Sequence, residues 1–403
     1  MTARMTTRGL RAAVLGCVAL AALGGAGALA DGGGTGTGQP GSGAGGGALS
    51  GQGMWIWYVS RSSGGSVAAI ARRARAAHVN TVYVKAADDS SEWRQFTPSL
   101  VNALHARGLR VCGWQFVYGL HPKREAVAGA SAARDGADCL VIDAESSYEG
   151  RYAAASTYMR RLRARVGRHY TLALSSFPYV DYHPGEPYSV FLGPRGATTN
   201  LPQVYWHTIG TTPGVGLTHT YEFNRVYKRS IRPLGQTFDS PPLGEIRAFR
   251  RLVASYGFKG YSWWSWQATS PSEWRTLARP AGRLAGFHKT NLFPALHEGS
   301  GGDLVVWAQE HLVGAGIKVP ITGSFRSRTR AAVKSFQSAH GIPNTGTIGP
   351  LTWKALLKVK PVAVNWAHPR RTLGRAEIPR GGEPASASLP AVRDEIPSRP
   401  PGR

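Results

Sequence analysis

The sequence is poor in cysteine and, beyond its first thirty residues, in long apolar runs. Of its three cysteines, Cys17 belongs to an amino-terminal apolar segment, and neither Cys112 nor Cys139 has a histidine placed to suggest a nucleophile. No segment after residue 30 is apolar enough to cross a bilayer, so we predict no stable membrane span. These absences argue against cysteine-based catalysis and against an integral membrane protein.

The histidines show no metal-ligand spacing, and no Ser–His pairing with credible geometry is visible. The four that we considered are His78, His169, His207 and His219. We therefore predict no metal and no other cofactor, and an amidase or a peptidase is the weakest of three functional hypotheses.

Acidic residues are scarce: 23 of them face 48 lysines and arginines, which gives a formal net charge of +25. This balance predicts an anionic partner, such as nucleic acid, a membrane surface or an acidic polymer of a cell wall. The amino terminus favours the cell wall. Arg4, Arg8 and Arg11 precede or open an apolar run that ends at Leu23, and Ala28-Leu29-Ala30 has the small residues of a signal-peptide cleavage site. We expect a secreted, wall-associated protein with no nucleic-acid partner, whose mature charge is +22 because three arginines are removed.

The rest of the chain divides into two predicted domains with flexible flanks. Residues 31–53 are rich in Gly, Ser and Thr and are predicted to be a tether. Residues 54–279 alternate between strand and helix patterns, residues 280–300 are predicted to be a linker, and residues 301–358 form a compact helical unit. Residues 359–403 are rich in Pro and Arg and lack apolar periodicity, so we expect disorder.

Within residues 54–279, eight strand-like segments are separated by mostly helical connections. The predicted strands are Trp55–Val59, Thr81–Ala86, Arg110–Val117, Cys139–Glu145, Tyr170–Phe177, Pro202–Trp206, Pro233–Phe238 and Gly260–Trp266. The predicted helices are Ser66–Ala77, Pro98–Arg107, Pro122–Asp135, Gly150–Val166, Thr220–Arg229, Leu243–Tyr256 and Ser272–Ala278. This count over about 225 residues is typical of a (β/α)8 barrel, whereas a doubly wound sheet would more often show a Gly-rich phosphate turn after its first strand. We predict an α/β protein in which a (β/α)8 TIM barrel precedes a small all-α three-helix domain.

The fourth predicted strand ends in two acids, Asp143 and Glu145. Because side chains alternate along a strand, both leave the same face, roughly 6–7 Å apart along it. Two crowded carboxylates raise each other's pKa, which suits one of them to hold a proton near neutrality. The pair is therefore the candidate catalytic centre, although a solvated acidic loop is the alternative for an isolated Asp-x-Glu.

Polar and aromatic residues gather where the predicted strands end, which is where barrel enzymes have their chemistry. The candidate substrate-binding residues are Trp57, Lys85, Asp88, Gln115, Tyr118, Gln203, Tyr205, Trp206, Gln236, Trp264 and Trp266. Exposed indoles at a barrel mouth favour a ligand that stacks on them, and the apolar faces of sugar rings are suited to this. Carboxylates among aromatic residues then indicate glycoside hydrolysis.

Residues 301–358 resemble the three-helix peptidoglycan-binding domain that is appended to many wall hydrolases. The residues that carry this resemblance are Val306–Leu312, Thr322-Gly323, Thr329, Ala332-Val333, Phe336-Gln337, Gly341-Ile342, Thr345-Gly346, Gly349-Pro350, Thr352-Trp353 and Leu356. The resemblance implies that this unit binds peptidoglycan.

The barrel resembles known glycosidases in the motif Asp143-Ala144-Glu145. This motif is similar to the acidic pair of family 25 lysozyme-type muramidases and to the end of the family 18 chitinase signature. The resemblance implies that Glu145 is the proton donor and that Asp143 assists the 2-acetamido group of the substrate. Two positions differ, because the muramidases have a strand-one aspartate where this chain has Ile56-Trp57, and the chitinase signature has an acid where this chain has Val141.

Two functional hypotheses therefore lead. The first is a secreted glycosidase that cleaves peptidoglycan or a related 2-acetamido glycan, with anionic wall polymers as further partners. The second is a non-catalytic wall-binding protein whose barrel keeps a sugar cleft, and the missing strand-one acid favours it. Cys112 and Cys139 lie near the starts of neighbouring predicted strands, so they form either a disulfide or two buried thiols.

Overall fold

The computed structural model describes residues 47–366. The predicted signal peptide, most of the glycine-rich tether and the tail beyond residue 366 lie outside these described residues. Within them, eight parallel strands close into a barrel because the first strand pairs with both the second and the last. The strands are β1 Gly51–Ile56, β2 Val79–Asp88, β3 Arg110–Val117, β4 Cys139–Ala144, β5 Thr171–Ser176, β6 Thr199–Val204, β7 Leu234–Gln236 and β8 Gly260–Trp264. The predicted barrel is confirmed.

Strand β1 begins at Gly51, three residues before the predicted start of the barrel. Gly53 packs against the ring of Tyr83, where a Cβ atom would lie 2.4 Å from a ring carbon. A larger residue cannot fit at this position, so the glycine belongs to the barrel and not to the tether. Composition alone does not separate a packing glycine from a linker glycine.

Within the described part of the barrel, seven helices of eight residues or more accompany the strands. They are α1 Val67–Ala76, α2 Pro98–His105, α3 Pro122–Arg134, α4 Tyr152–Val166, α5 Pro213–Asn224, α6 Leu243–Tyr256 and α7 Pro271–Ala278. No helix among residues 47–366 has both the length and the apolar character that crossing a membrane requires. Helix α5 begins at Pro213, seven residues before the predicted Thr220, because Thr212 caps it by accepting a hydrogen bond from Val215 N.

The barrel interior is filled with aromatic residues. Trp55, Tyr83 and Trp114 pack inside the barrel with ring centroids 5.2–5.6 Å apart. Cys112 and Cys139, paired residues of β3 and β4, form a disulfide in the same cluster. The alternative of two free thiols is therefore excluded.

The connection between β5 and β6 contains a single turn of α-helix, Tyr188–Phe191, so the outer ring of helices is incomplete there. The gap is filled by the first helix of the carboxy-terminal unit, α8 Asp303–Gly314. All ten residues from Asp303 to Leu312 are buried. One side of α8 packs on the barrel and the other on α9 Ser327–Ala339 and α10 Pro350–Leu356. The three-helix unit and the barrel thus share a hydrophobic core.

The segments on either side of the three-helix unit are more ordered than predicted. In the predicted linker, Leu296 forms an antiparallel bridge with Ile348. In the predicted tail, Trp366 is 2% exposed and packs on Tyr152 of α4, with ring centroids 4.9 Å apart. Composition underestimates the order of both segments, because their few apolar residues pack on surfaces that exist only in the folded protein.

Candidate functional site

The acid pair is organised by one amide at the carboxyl end of the barrel. Gln203, at the end of β6, uses its Nε2 to donate hydrogen bonds to Asp143 Oδ1 at 3.0 Å and Glu145 Oε1 at 2.9 Å. The same nitrogen lies 3.2 Å from Ser175 Oγ, at the end of β5. Asp143, Gln203 and Ser175 are buried, whereas Glu145 lies just beyond β4 and is partly exposed. The two carboxyl groups therefore lie side by side, and Glu145 is the one that reaches the mouth.

Burial dominates the electrostatics of this pair. Burial raises the pKa of Asp143 well above its usual value, and the neighbouring charge of Glu145 raises it further. Burial also raises the pKa of Glu145, against the hydrogen bond from Gln203 and the charge of His183, which both lower it. Both shifts favour the protonated form of the pair, in the direction that a general acid requires.

Lys85, on β2, is 1% exposed and lies inside an aromatic cage. Its Nζ is 4.7, 4.6 and 4.5 Å from the ring centroids of Trp57, Trp93 and Trp114. It also donates a hydrogen bond of 2.6 Å to Asp88 Oδ2. Burial lowers the pKa of Lys85, while the charge of Asp88 and, to a smaller extent, that of Asp143 raise it. The cage and the ion pair together stabilise a cation in a site that water scarcely reaches.

A partly exposed rim surrounds the acids and the caged lysine. Its members among the predicted residues are Trp57, Asp88, Tyr118 and Trp264. Tyr118 donates a hydrogen bond to Asp88 Oδ1 at 3.3 Å, and Trp264 packs 5.7 Å from Trp57. Tyr205 is buried, and burial raises its pKa, which the charges of Asp143 and Glu145 raise further. These residues give the mouth aromatic walls around two acids.

Gln115 does not reach the mouth, contrary to the prediction. Its neighbour Trp114 faces the barrel interior, so Gln115 points outwards towards helix α3. Its Nε2 donates to the carbonyl oxygens of Asp89 and Glu125, and its Oε1 accepts from Tyr158 OH. Gln115 is therefore a structural residue between the sheet and the helices.

Three other predicted binding residues are also directed elsewhere. Trp206 packs on Phe249 of α6, and Trp266 packs on Trp274 of α7, so both indoles are buried outside the barrel. Gln236 is buried, and its side chain bonds the loop after β6 at three sites and the backbone oxygen of Phe238. Of these three residues only Gln236 lies within a strand, β7, whereas Trp206 and Trp266 follow the ends of β6 and β8.

Several residues near the acids were missed. Ser175 contacts the amide of Gln203, and Trp93 and Trp114 complete the lysine cage. His183, in the connection after β5, stacks on Phe177 and has its Nδ1 2.8 Å from Glu149 Oε1. Ser175 could have been found from its position at a strand end, but no local pattern marks His183.

We searched residues 47–366 for groups of three or more metal-binding side chains and found none. Comparison with protein families gives one match. Residues 301–356 match the family described as "Putative peptidoglycan binding domain". The matched residues comprise α8, α9 and α10, and the barrel lies outside the match. No curated protein matches the chain in sequence.

Comparison of folds finds several solved barrels of low similarity. The spore cortex-lytic enzyme SleL of Bacillus cereus is 12% identical, with a TM-score of 0.43 over 57% of this chain and 73% of that chain. A chitinase from Chromobacterium violaceum is 11% identical, with a TM-score of 0.37 over 57% of this chain and 98% of that chain. The endo-β-1,4-mannanase of Thermotoga petrophila is 7% identical, with a TM-score of 0.42 over 54% and 68%. At these TM-scores the similarity adds nothing to the barrel that the strand pairing already establishes.

Proposed function

We propose that this protein is a secreted glycoside hydrolase that cleaves the glycan strands of peptidoglycan. The observation that carries the proposal is the pair Asp143 and Glu145 under one shared donor, Gln203. A glycosidase needs one carboxylic acid that holds its proton near neutrality and a second polar group that stabilises positive charge at the anomeric carbon. The raised pKa values of both acids and their position at the barrel mouth meet that need.

The roles within the pair follow from exposure. Glu145 is partly exposed, so it can reach a glycosidic oxygen and donate its proton as the leaving group departs. Asp143 is buried behind it and can hydrogen-bond the 2-acetamido group, whose carbonyl oxygen then attacks the anomeric carbon. Water completes the reaction by adding to that carbon while Glu145 takes a proton back. Peptidoglycan sugars carry the 2-acetamido group that this mechanism requires.

The aromatic rim supports a sugar substrate. Trp57 and Trp264 expose part of their rings beside the acids, and Tyr205 lies below them. Stacking of sugar C–H faces on such rings would hold the glycan across the mouth. Asp88 and Tyr118, which are joined by a hydrogen bond, are partly exposed along the same wall and could hydrogen-bond sugar hydroxyl groups, while Lys85 lies buried behind Asp88.

Two features support the cell wall as the target. Residues 301–356 match a family of peptidoglycan-binding domains. The formal net charge of +25 would favour anionic wall polymers as additional partners and would make binding sensitive to salt. Secretion rests on the amino-terminal segment, with its three arginines, apolar run and Ala28-Leu29-Ala30 site.

One observation favours a second candidate, a non-catalytic wall-binding protein. Trp57, just after β1, lies at the mouth where the resembled muramidases have an acid. Trp57, Trp114 and Trp264 pack together with centroids 5.4–5.9 Å apart, so indoles fill part of the space in which a second acid would act. Such a barrel could hold a glycan without cleaving it.

Release of reducing ends from purified peptidoglycan by residues 31–403 separates the two candidates. We expect release by the unaltered protein and a loss of about a hundredfold to ten-thousandfold in Glu145→Gln, because a general acid contributes that much. Glu92→Gln is the matched control, since Glu92 is an exposed acid that pairs with Arg134. Full activity in Glu145→Gln would refute the assignment of Glu145 as the general acid. No release by any variant, with the protein still sedimenting with the wall, would establish the binding protein.

A further inference from the structure

The first residue of α8, Asp303, is completely buried against the barrel. Its Oδ1 accepts hydrogen bonds from Tyr152 OH at 2.9 Å and Ser189 Oγ at 2.6 Å. Its Oδ2 accepts from Ser189 N at 2.8 Å and Tyr227 OH at 2.7 Å. One carboxylate of the three-helix unit thus accepts four hydrogen bonds from donors that belong to the barrel. Removing this carboxylate would be costly, because these buried donors would lose their acceptor.

The same end of α8 holds the backbone of the connection after β5. Asp303 N donates a hydrogen bond of 2.8 Å to the carbonyl oxygen of Pro184. Gly302 has a φ of 92° and lies so close to this proline that a Cβ atom on it would be 2.4 Å from Pro184 Cβ. Together with Ser189, these contacts fix the segment from residue 183 to residue 189, which we call the docking segment, at both ends.

The docking segment places His183 against the loop that follows Glu145. The ring of His183 stacks on Phe177, just after β5, with a centroid distance of 3.4 Å. Its Nδ1 lies 2.8 Å from Glu149 Oε1, four residues after Glu145. Gly185 also accepts a hydrogen bond of 2.7 Å from Gly150 N, so the docking segment is joined to the loop that bears Glu145. The charge of His183 acts on Glu145 and lowers its pKa.

We infer that Asp303 is a positioning residue for Glu145, acting through the docking segment and His183, so that the three-helix unit completes the active site as well as binding the wall. This inference rests on the proposed glycosidase function. It differs from the usual idea of a tethered binding module, because a tether could be cut without disturbing the barrel. Here α8 occupies the gap between β5 and β6 that a barrel helix would otherwise fill.

The substitution Asp303→Asn tests the inference. It keeps the shape of the side chain but removes its charge and replaces one acceptor oxygen with a donor. If the amide nitrogen takes the place of Oδ2, it meets Ser189 N, which can only donate. If it takes the place of Oδ1, the hydroxyl groups of Tyr152 and Ser189 must turn and accept instead of donating. The matched control is Phe336→Leu, which perturbs the buried face of α9 in the same unit. The substrate is a soluble peptidoglycan glycan fragment, whose cleavage does not depend on anchoring to the wall.

We expect Asp303→Asn to lower kcat by about tenfold to a hundredfold with little change in KM, because a small displacement of a catalytic group has effects of that size. Phe336→Leu should leave kcat unchanged. Equal kcat in Asp303→Asn and the unaltered protein, or an equal loss in both variants, would overturn the inference.

A second readout does not require activity. The NMR signals of the His183 ring should shift in Asp303→Asn and stay in place in Phe336→Leu. If the unaltered protein cleaves no glycan, the proposed function fails, but these signals still decide whether Asp303 positions His183. If Asp303→Asn does not fold, Ser189→Ala removes one hydroxyl bond to Asp303, and the same two measurements apply. Unshifted His183 signals in a folded variant would refute the coupling.

Discussion

Ser189 and Asp303 are 114 residues apart in the chain and are joined by two buried hydrogen bonds, from Ser189 N at 2.8 Å and from its Oγ at 2.6 Å. This contact fastens the three-helix unit to the barrel and gives the two parts a common core. Because the shared carboxylate is buried, its protonation state is linked to the stability of the whole structure.

The free energy of unfolding should fall as the pH rises through the titration of Asp303. Burial raises the pKa of Asp303 from 3.8 to about 6, so the folded state binds more protons than the unfolded state between these values. Stability from this group is greatest below pH 4 and is lost as the pH rises through about 6, by up to about 3 kcal/mol. Urea unfolding between pH 4 and 8 measures the effect.

Asp303→Asn is the comparison for that measurement. Other buried acids, including Glu186 and Glu310, have raised pKa values and contribute slopes of the same sign. The difference between the unaltered protein and Asp303→Asn isolates Asp303, and that difference should change between pH 4 and 7. A difference that is constant with pH would show that Asp303 does not titrate there.

Replacing Gln203 with leucine should move the pH dependence of the reaction. The amide stabilises both carboxylates by hydrogen bonds and thereby lowers their pKa values. In Gln203→Leu both pKa values should rise, so the acid keeps its proton to higher pH and the alkaline limb of the pH–rate profile shifts upwards. The maximal rate should fall about tenfold or more, because the pair loses its orientation. An alkaline limb that moves to lower pH would contradict the assignment of Glu145 as the acid.

Gln115→Leu should reduce stability and leave glycan binding unchanged. Its side chain hydrogen-bonds Asp89 O, Glu125 O and Tyr158 OH, and leucine would remove all three of these hydrogen bonds. The expected loss is about 2–4 kcal/mol of unfolding free energy. Thermal unfolding and glycan titration of Gln115→Leu measure the two effects separately. Weaker glycan binding without loss of stability would show that Gln115 belongs to the binding site.

The pair Lys85 and Asp88 should respond unequally to substitution. The Lys85 side chain is 2% exposed and that of Asp88 is 31% exposed. Asp88→Asn leaves a buried ammonium group without its counter-charge and should cost about 1–3 kcal/mol, whereas Lys85→Met leaves a carboxylate that water can solvate and should cost less. Urea unfolding of both variants and of the double variant shows which substitution lowers the free energy of unfolding more. A greater loss in Lys85→Met would show that the indole cage, and not Asp88, is the main support of the cation.

The sequence predicts the candidate site best where the alternation of side chains along a strand sets their direction. Asp143 and Glu145 are two residues apart, and so are Gln203 and Tyr205, so each pair shares a face of its strand. Gln115 was misdirected because barrel strands are buried on both faces, and a buried run does not reveal which face points inwards. Trp206 follows the end of β6, at the start of a one-turn helix. Trp266 lies beyond the end of β8, where strand alternation no longer applies.

The sequence by itself determined the number of strands, the position of the acid pair and the three-helix unit, because each depends on residues that are close together in the chain. Only the tertiary structure decided that three indoles surround Lys85, that His183 reaches the loop of Glu145, and that α8 fills the gap beside β5. These contacts join residues up to 151 positions apart, such as Tyr152 and Asp303. Their partners are chosen by the shape and the unpaired donors of a surface that exists only once the barrel has closed.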